Sequence, residues 1–261
     1  MHENIDSILK SYKSVTLKEI DSVGFMNRID TKFHFDVELI PLILERCKHD
    51  YSVLEINEMR SMPYRTTYFD TPDFKLYLSH VNGLYNRFKV RHREYQVSGD
   101  SFFEVKFKNN KSRTTKSRIA NNNEHILNDI SDTFLHQQTQ MRAHHIQSAL
   151  TNKFYRITLV SRSMDARITL DYDISFASKE NHVGLPLLGI AEIKHGGGAN
   201  KPLVISLLKQ MGIHPDGVSK YCIGVALLFK DLKYNLLKEK LLHINKIHNG
   251  KLNFARKYKA F

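Results

Sequence analysis

Two cysteines in 261 residues, Cys47 and Cys222, far apart in the chain, leave no metal-type spacing and no basis for a disulfide scaffold. Long apolar runs are also missing. The longest, at 222–229, falls far short of the ~18 residues that a membrane-crossing helix needs. No basic stretch precedes an apolar one at the N-terminus, so no secretory leader is read there and the expectation is a soluble, cytoplasmic chain. Acids are in the minority: 27 Asp and Glu stand against 39 Lys and Arg, for a net charge of +12. That balance suits a polyanionic partner such as a nucleic acid, a phosphate chain or an acidic membrane surface. No internal repeat and no nucleic-acid reading motif is visible, so no specific nucleic acid is expected.

What is present is alternation. Over 85–93 the chain reads Tyr-Asn-Arg-Phe-Lys-Val-Arg-His-Arg, which in a β-strand puts Arg87, Lys89, Arg91 and Arg93 on one face. Successive cations would stand about 6.7 Å apart, repelling by roughly 2–2.5 kcal/mol per pair at an effective dielectric near 20. A solvated outer face would screen that repulsion; an enclosed face would need an anion to relieve it. Other segments repeat the pattern: Arg28, Asp30 and Lys32; Glu104, Lys106 and Lys108; Lys116 with Arg118; and Arg167, Thr169, Asp171 and Asp173. Strand-like segments fall at 26–37, 64–70, 84–95, 101–108, 113–119, 154–162, 166–174 and 188–194. Helical spacing marks Ile5, Ile8, Leu9, Tyr12 and Val15, with a capping-box pattern at Thr16-Leu17-Lys18-Glu19. Helices are also expected at 41–47, 124–147, 202–210 and 219–230, and beyond residue 231 as a basic amphipathic helix with a basic tail.

The fold class read from the residues is α+β, an antiparallel sheet of eight strands with helices packed outside, whose charged face looks either to water or, if the sheet closes into a β-barrel, into a lumen. A cationic lumen would suit phosphate oxygens. The interleaved acids Glu104, Asp171, Asp173 and Glu192 suit a divalent cation bridging phosphates, or simply pair with adjacent Arg and Lys; both readings stand for Glu192.

Read in order, several motifs act together. They are Arg28-x-Asp-x-Lys32-Phe33, Tyr64-Arg-Thr-Thr-Tyr-Phe-Asp70-Thr-Pro72, Asn86-Arg87-x-Lys89-Val90-Arg91-x-Arg93-x-Tyr95 and Phe103-Glu104-Val105-Lys106. Arg167-Ile-Thr-Leu-Asp171, Ala191-Glu192-Ile193-Lys194 and Val218-Ser219-Lys220-Tyr221 complete the set. From about Asp21 to Lys230 the chain resembles the VTC domain, the polyphosphate polymerase domain of the triphosphate tunnel metalloenzyme superfamily, which implies a closed eight-stranded antiparallel β-barrel, a tunnel domain over 21–230, between an N-terminal helical segment (1–20) and a basic C-terminal helix and tail (231–261). The resemblance implies a metal-dependent phosphotransferase in which a nucleoside triphosphate, ATP being the first candidate, binds with Mn²⁺ or Mg²⁺ and passes its terminal phosphate to inorganic polyphosphate. It implies catalytic roles for Arg91, Arg93, Lys106, Arg167 and Lys220. Phosphate contacts would come from Arg28, Lys32, Arg87, Lys89, Lys116, Arg118, Arg162 and Ser219, and metal ligation from Glu192 and Glu104. Ser219 and Lys220 also open a helix, whose free N–H groups favour phosphate on physical grounds alone. Where hydrolase and cyclase relatives carry Glu-x-Glu-x-Lys, this chain has Arg28-x-Asp30-x-Lys32, as in the polymerase branch. Hydrolysis of triphosphates and non-catalytic polyphosphate binding are the alternatives, and a membrane partner receiving the product is left open.

Overall fold

The computed structural model describes residues 2–21, 28–111, 113–121, 128–196, 202–217 and 219–252. The chain starts with α1 (His2–Lys10), β1 (Ser14–Val15), α2 (Leu17–Asp21), β2 (Arg28–Asp36), α3 (Ile40–Cys47), β3 (Tyr51–Leu54) and β4 (Ser61–Asp70). It continues through α4 (Lys75–Val81), β5 (Arg87–Tyr95), β6 (Ser101–Lys108), β7 (Thr114–Ala120), α5 (Asp129–Thr139) and β8 (Gln147–Ser161). Then follow β9 (Ala166–Ala177), β10 (His182–Leu185), β11 (Leu188–Gly196), α6 (Leu203–Gln210), α7 (Lys220–Leu228) and α8 (Lys238–Ile247). These elements divide into two compact units: Met1–Pro63 with Phe154–Ile174 and Leu185–Val218, and Tyr64–Lys153 with Ser175–Gly184 and Ser219–Phe261.

In the first unit β11 lies antiparallel between β2 and β9, with Glu192 opposite Lys32 and Thr169, and Lys194 opposite Asp30 and Arg167. Because side chains alternate, the other face of the same strands carries Phe33, Phe35, Ala191, Ile193, Ile168 and Leu170. That face is buried under Ile5 and Leu9 of α1, Ile43 and Leu44 of α3, and Val204 and Leu208 of α6. At about 1.5–3 kcal/mol for each fully buried large apolar side chain, this packing holds the charged face in place. A Cβ on Gly189 would come within 2.8 Å of the Phe35 ring, so glycine there lets the two strands close. Arg60 ties the end of α1 to this unit, donating to the carbonyls of Leu9 (2.5 Å) and Tyr12 (3.1 Å). The reciprocal capping expected at 16–19 is present: Thr16 N–H donates to Glu19 Oε2 (2.8 Å) and Glu19 N–H to Thr16 Oγ1 (3.4 Å).

In the second unit β4, β5, β6 and β7 form a consecutive antiparallel run. Its apolar face, with Phe69, Val90, Phe103 and Val105, packs on Leu76 of α4 and Leu135 of α5. Asp70, at the end of β4, is fully buried and accepts from the N–H groups of Thr71 (2.7 Å), Leu76 (2.9 Å) and Tyr77 (2.8 Å) and from the Tyr221 hydroxyl. One carboxylate therefore starts α4 and anchors α7. Helix α7 is buried on every side, and a Cβ on Gly224 would meet Phe176 at 2.6 Å.

The sheet is large and mainly antiparallel, with β1 parallel to β3. Its outer strands, β2 in the first unit and β7 in the second, have no further strand partner among the described residues, so hydrogen bonding does not close the barrel expected from the sequence. Among the described residues no helix is long and apolar enough to cross a membrane. The helix expected at 124–147 is shorter: α5 spans Asp129–Thr139, stopped by left-handed Gln140 (φ 64°), and β8 already begins at Gln147. Residues 122–127 and the tail from 253 lie outside the described residues.

Candidate functional site

Strand β5 sets out the cations of the second unit. Arg87 stands opposite Lys108, Lys89 opposite Lys106 and Arg91 opposite Glu104, and β7 adds Lys116 opposite Lys106 and Arg118 opposite Glu104. At the centre, Arg91 grips one oxygen of Glu104 through Nε (2.7 Å) and Nη2 (2.6 Å), while Lys116 Nζ meets the other. Burial by itself would raise the Glu104 pKa; Arg91, Arg93 and Lys116 outweigh it and hold the carboxyl at about 2. Arg93 donates to Thr66 Oγ1 (3.2 Å) and Arg118 lies 4.3 Å from the Phe102 ring centre. Arg87 donates to the Leu84 carbonyl (2.8 Å). Lys89 Nζ donates to Ser219 Oγ (2.9 Å), and that hydroxyl accepts from Cys222 N–H (3.4 Å), capping α7 just before Lys220. The motif at 85–95 and residues 219–221 of the later motif thus meet within one unit. Lys106 sits half-buried in the same row.

In the first unit Glu192 Oε1 lies 3.2 Å from Lys32 Nζ and 3.6 Å from Lys194 Nζ. Arg167, one row along, donates to the Ile20 carbonyl (3.3 Å). Arg28 opens β2, and its side chain lies outside the described residues. Arg162 differs from expectation: it is exposed in the turn after β8, with Nη2 3.5 Å from the Lys48 carbonyl, and does not share the charged face. Asp173 also leaves that face. Its left-handed backbone (φ 50°) breaks the alternation of β9 and turns it to solvent.

Sequence reasoning missed two groups. Arg156 on β8 makes a bidentate pair with buried Asp171; its parity with Arg162 was the available signal. His80 on α4 is half-buried, with Nδ1 closed off from solvent and without a hydrogen-bond partner among the described residues. Burial first, and then Lys89, Arg87, Lys108 and Lys106, push its pKa down to about 2, so it is neutral. Nothing in a lone histidine seven residues before Arg87 announced this.

Among the described residues no three His, Cys, Asp or Glu side chains gather to hold a metal ion. Both Glu104 oxygens are engaged by cations. Glu192 lies between two lysines, and the acid nearest it along the register of β2 is Asp30, opposite Lys194. One carboxylate fits Mg²⁺ or Mn²⁺ where phosphate oxygens and water complete the shell, and does not fit an ion held by protein alone.

No curated protein matches the sequence. Among solved structures, a putative adenylate cyclase from Bacillus halodurans aligns at 14% identity over 74% of this chain and 94% of its own, with a TM-score of 0.48. A putative adenylyl cyclase from Hippeastrum, described as having a dominant triphosphatase activity, aligns at 11% identity over 75% and 94%, with a TM-score of 0.47. The PH1819 protein from Pyrococcus horikoshii aligns at 15% identity over 83% and 99%, with a TM-score of 0.42. The family model of the VTC domain matches residues 27–229, the span that carries both charged faces. The chain belongs to the VTC domain family.

Proposed function

We propose that this protein is a polyphosphate polymerase, transferring the terminal phosphate of a nucleoside triphosphate, ATP first, to an inorganic polyphosphate chain. The observation that carries the reading is the face of β5, β6 and β7, where among the described residues Glu104 is the one acid amid Arg87, Lys89, Arg91, Arg93, Lys106 and Lys116. Phosphoryl transfer asks little covalent work of a protein; placement and charge stabilisation supply most of the catalysis. Arg91 and Arg93 would bind equatorial phosphate oxygens through planar forks. Lys89 and Ser219, already joined, would hold phosphate at the start of α7 together with Lys220. Lys32 and Arg167 are proposed as further phosphate contacts. Glu192 is the residue that would hold Mn²⁺ or Mg²⁺, which when bound would neutralise charge on adjacent phosphate oxygens. The attacking group is a phosphate oxygen of the acceptor, already anionic at neutral pH, so no protein base is required.

Hydrolysis needs the same cationic face and is equally consistent with it; the two reactions differ in whether water or phosphate attacks. The sequence feature favouring the polymerase is Arg28 in the place of a first-strand acid. Incubation with ATP and Mn²⁺, with products resolved by gel and by ion chromatography, tests the reading. A ladder of polyphosphate with matching ADP is expected; orthophosphate as the sole phosphate product would assign a hydrolase.

A further inference from the structure

Glu104 sits in the middle of β6 with its side chain 1% exposed, whereas Arg91 is 19% and Lys116 39% exposed. A ligand arriving from solvent therefore meets the two cations before the acid. Each carboxylate oxygen reaches toward a different flanking strand, one to Arg91 on β5 and one to Lys116 on β7. Arg91 spends Nε and one terminal nitrogen on this contact, and a guanidinium has five N–H donors, so donors remain for phosphate. Lys116 likewise has three N–H donors to share. We propose that Glu104 is a positioning residue, a buried counter-anion that fixes the spacing and aim of Arg91 and Lys116, and not a ligand for the divalent cation. The inference rests on the reading of this face as a phosphate site.

The alternative, ligation by Glu104, places a divalent cation against a carboxylate whose two oxygens already hold cations, and like charges at that range repel. Removing the acid while keeping its shape should have two opposite effects. Anion binding should hold or strengthen, because a negative charge is gone from a cationic site. Turnover should fall by roughly 10–100-fold, because an ångström of freedom in Arg91 and Lys116 spoils the reacting geometry. Loss of a metal ligand would instead move the metal requirement, and a general loss of fold would weaken binding and turnover together.

The test compares wild type, E104Q and E104D, each checked for native melting. Tripolyphosphate binding is measured by calorimetry in EDTA, Mn²⁺ binding by electron paramagnetic resonance with tripolyphosphate present, and ATP turnover across a Mn²⁺ series. Expected for E104Q are a tripolyphosphate Kd equal to or below wild type, an unmoved Mn²⁺ midpoint and lowered kcat. E104D, which keeps the charge on a shorter arm, should also leave the Mn²⁺ midpoint unmoved, so it decides the matter even if E104Q does not fold. A shifted Mn²⁺ midpoint in either folded variant, or a Kd that weakens in step with kcat, overturns the inference. Wild type that binds tripolyphosphate without turning over ATP would overturn the polymerase reading alone, since the Kd and Mn²⁺ measurements still judge Glu104.

Discussion

Arg156 and Asp171 face each other across β8 and β9 with two parallel contacts, Nε to Oδ1 at 2.6 Å and Nη2 to Oδ2 at 2.8 Å. Asp171 is 2% exposed. A buried pair of this kind offsets desolvation through geometry, and removing one partner takes from the other the charge that balances it. Arg156→Met should therefore cost about 3–5 kcal/mol in denaturant unfolding, while Arg156→Met with Asp171→Leu should cost clearly less. A double variant no more stable than the single would show that Asp171 is held by other contacts.

Acid should act on this protein in stages. His80 is neutral in the folded state with its pKa pushed down from 6.5 to about 2, so between those values the unfolded chain binds the extra proton. Its contribution to stability is present above pH 6.5 and is lost as pH falls. Glu104, lowered from 4.5 to about 2, adds a loss that begins only below pH 4.5. Asp70 works the other way: burial raises its folded pKa against its hydrogen bonds, so acidification relieves it. Melting temperature should thus decline from about pH 6.5 downward, and His80→Asn should flatten the stretch between pH 6.5 and 4.5 while leaving the lower decline. A wild-type curve flat from pH 7 to 5 would contradict the neutral state of half-buried His80.

The β5 face was legible because period-two alternation is written directly into 87–93, and α1 because Ile5, Ile8 and Leu9 recur at helical spacing and are buried as that spacing requires. Strand ends were not. The sequence puts Arg156 and Arg162 on one face, but Ser161 Oγ donates to Asp165 Oδ1 (2.7 Å) and accepts from the N–H groups of Asp165 (3.0 Å) and Ala166 (2.9 Å). That turn ends β8 one residue before Arg162 and leaves Arg156 as the arginine on the strand. Helix α4 escaped notice for a related reason. Its seven residues are too few to announce themselves by periodicity, and it is started by Asp70, whose partners at 76 and 77 become visible only once the chain has folded.

Arg91→Lys keeps the charge and loses the fork. Lysine cannot make both contacts to Glu104 and still present a planar pair of donors to phosphate. Turnover should fall more than tripolyphosphate affinity does, with the gap read from kcat and from calorimetry. Equal losses would mean that Arg91 only binds.

Glu192→Gln should do what Glu104→Gln does not. It removes the carboxylate between Lys32 and Lys194, so the Mn²⁺ midpoint for ATP turnover should rise while tripolyphosphate binding in EDTA is preserved. An unchanged metal titration would eliminate Glu192 as a ligand.

The strands and the basic C-terminus can be separated by where phosphate acts. Cations held close by a packed strand repel one another in the empty protein, and a bound phosphate chain relieves that repulsion in addition to binding. Tripolyphosphate at ~100 times its Kd should add about 2.7 kcal/mol and raise the melting temperature by several degrees. A cut near Lys230 would remove core, because Leu241 and Ile244 of α8 are fully buried. A chain ending at Leu252 keeps α8 and loses Arg256, Lys257 and Lys259. It should show the same shift with tripolyphosphate, and should lose only a salt-sensitive attraction to long polyanions that fades as ionic strength rises. Arg91→Ala should shrink the shift in either chain. If the cut at 252 abolished it, or if Arg91→Ala left it whole, the phosphate site would not be the face of β5.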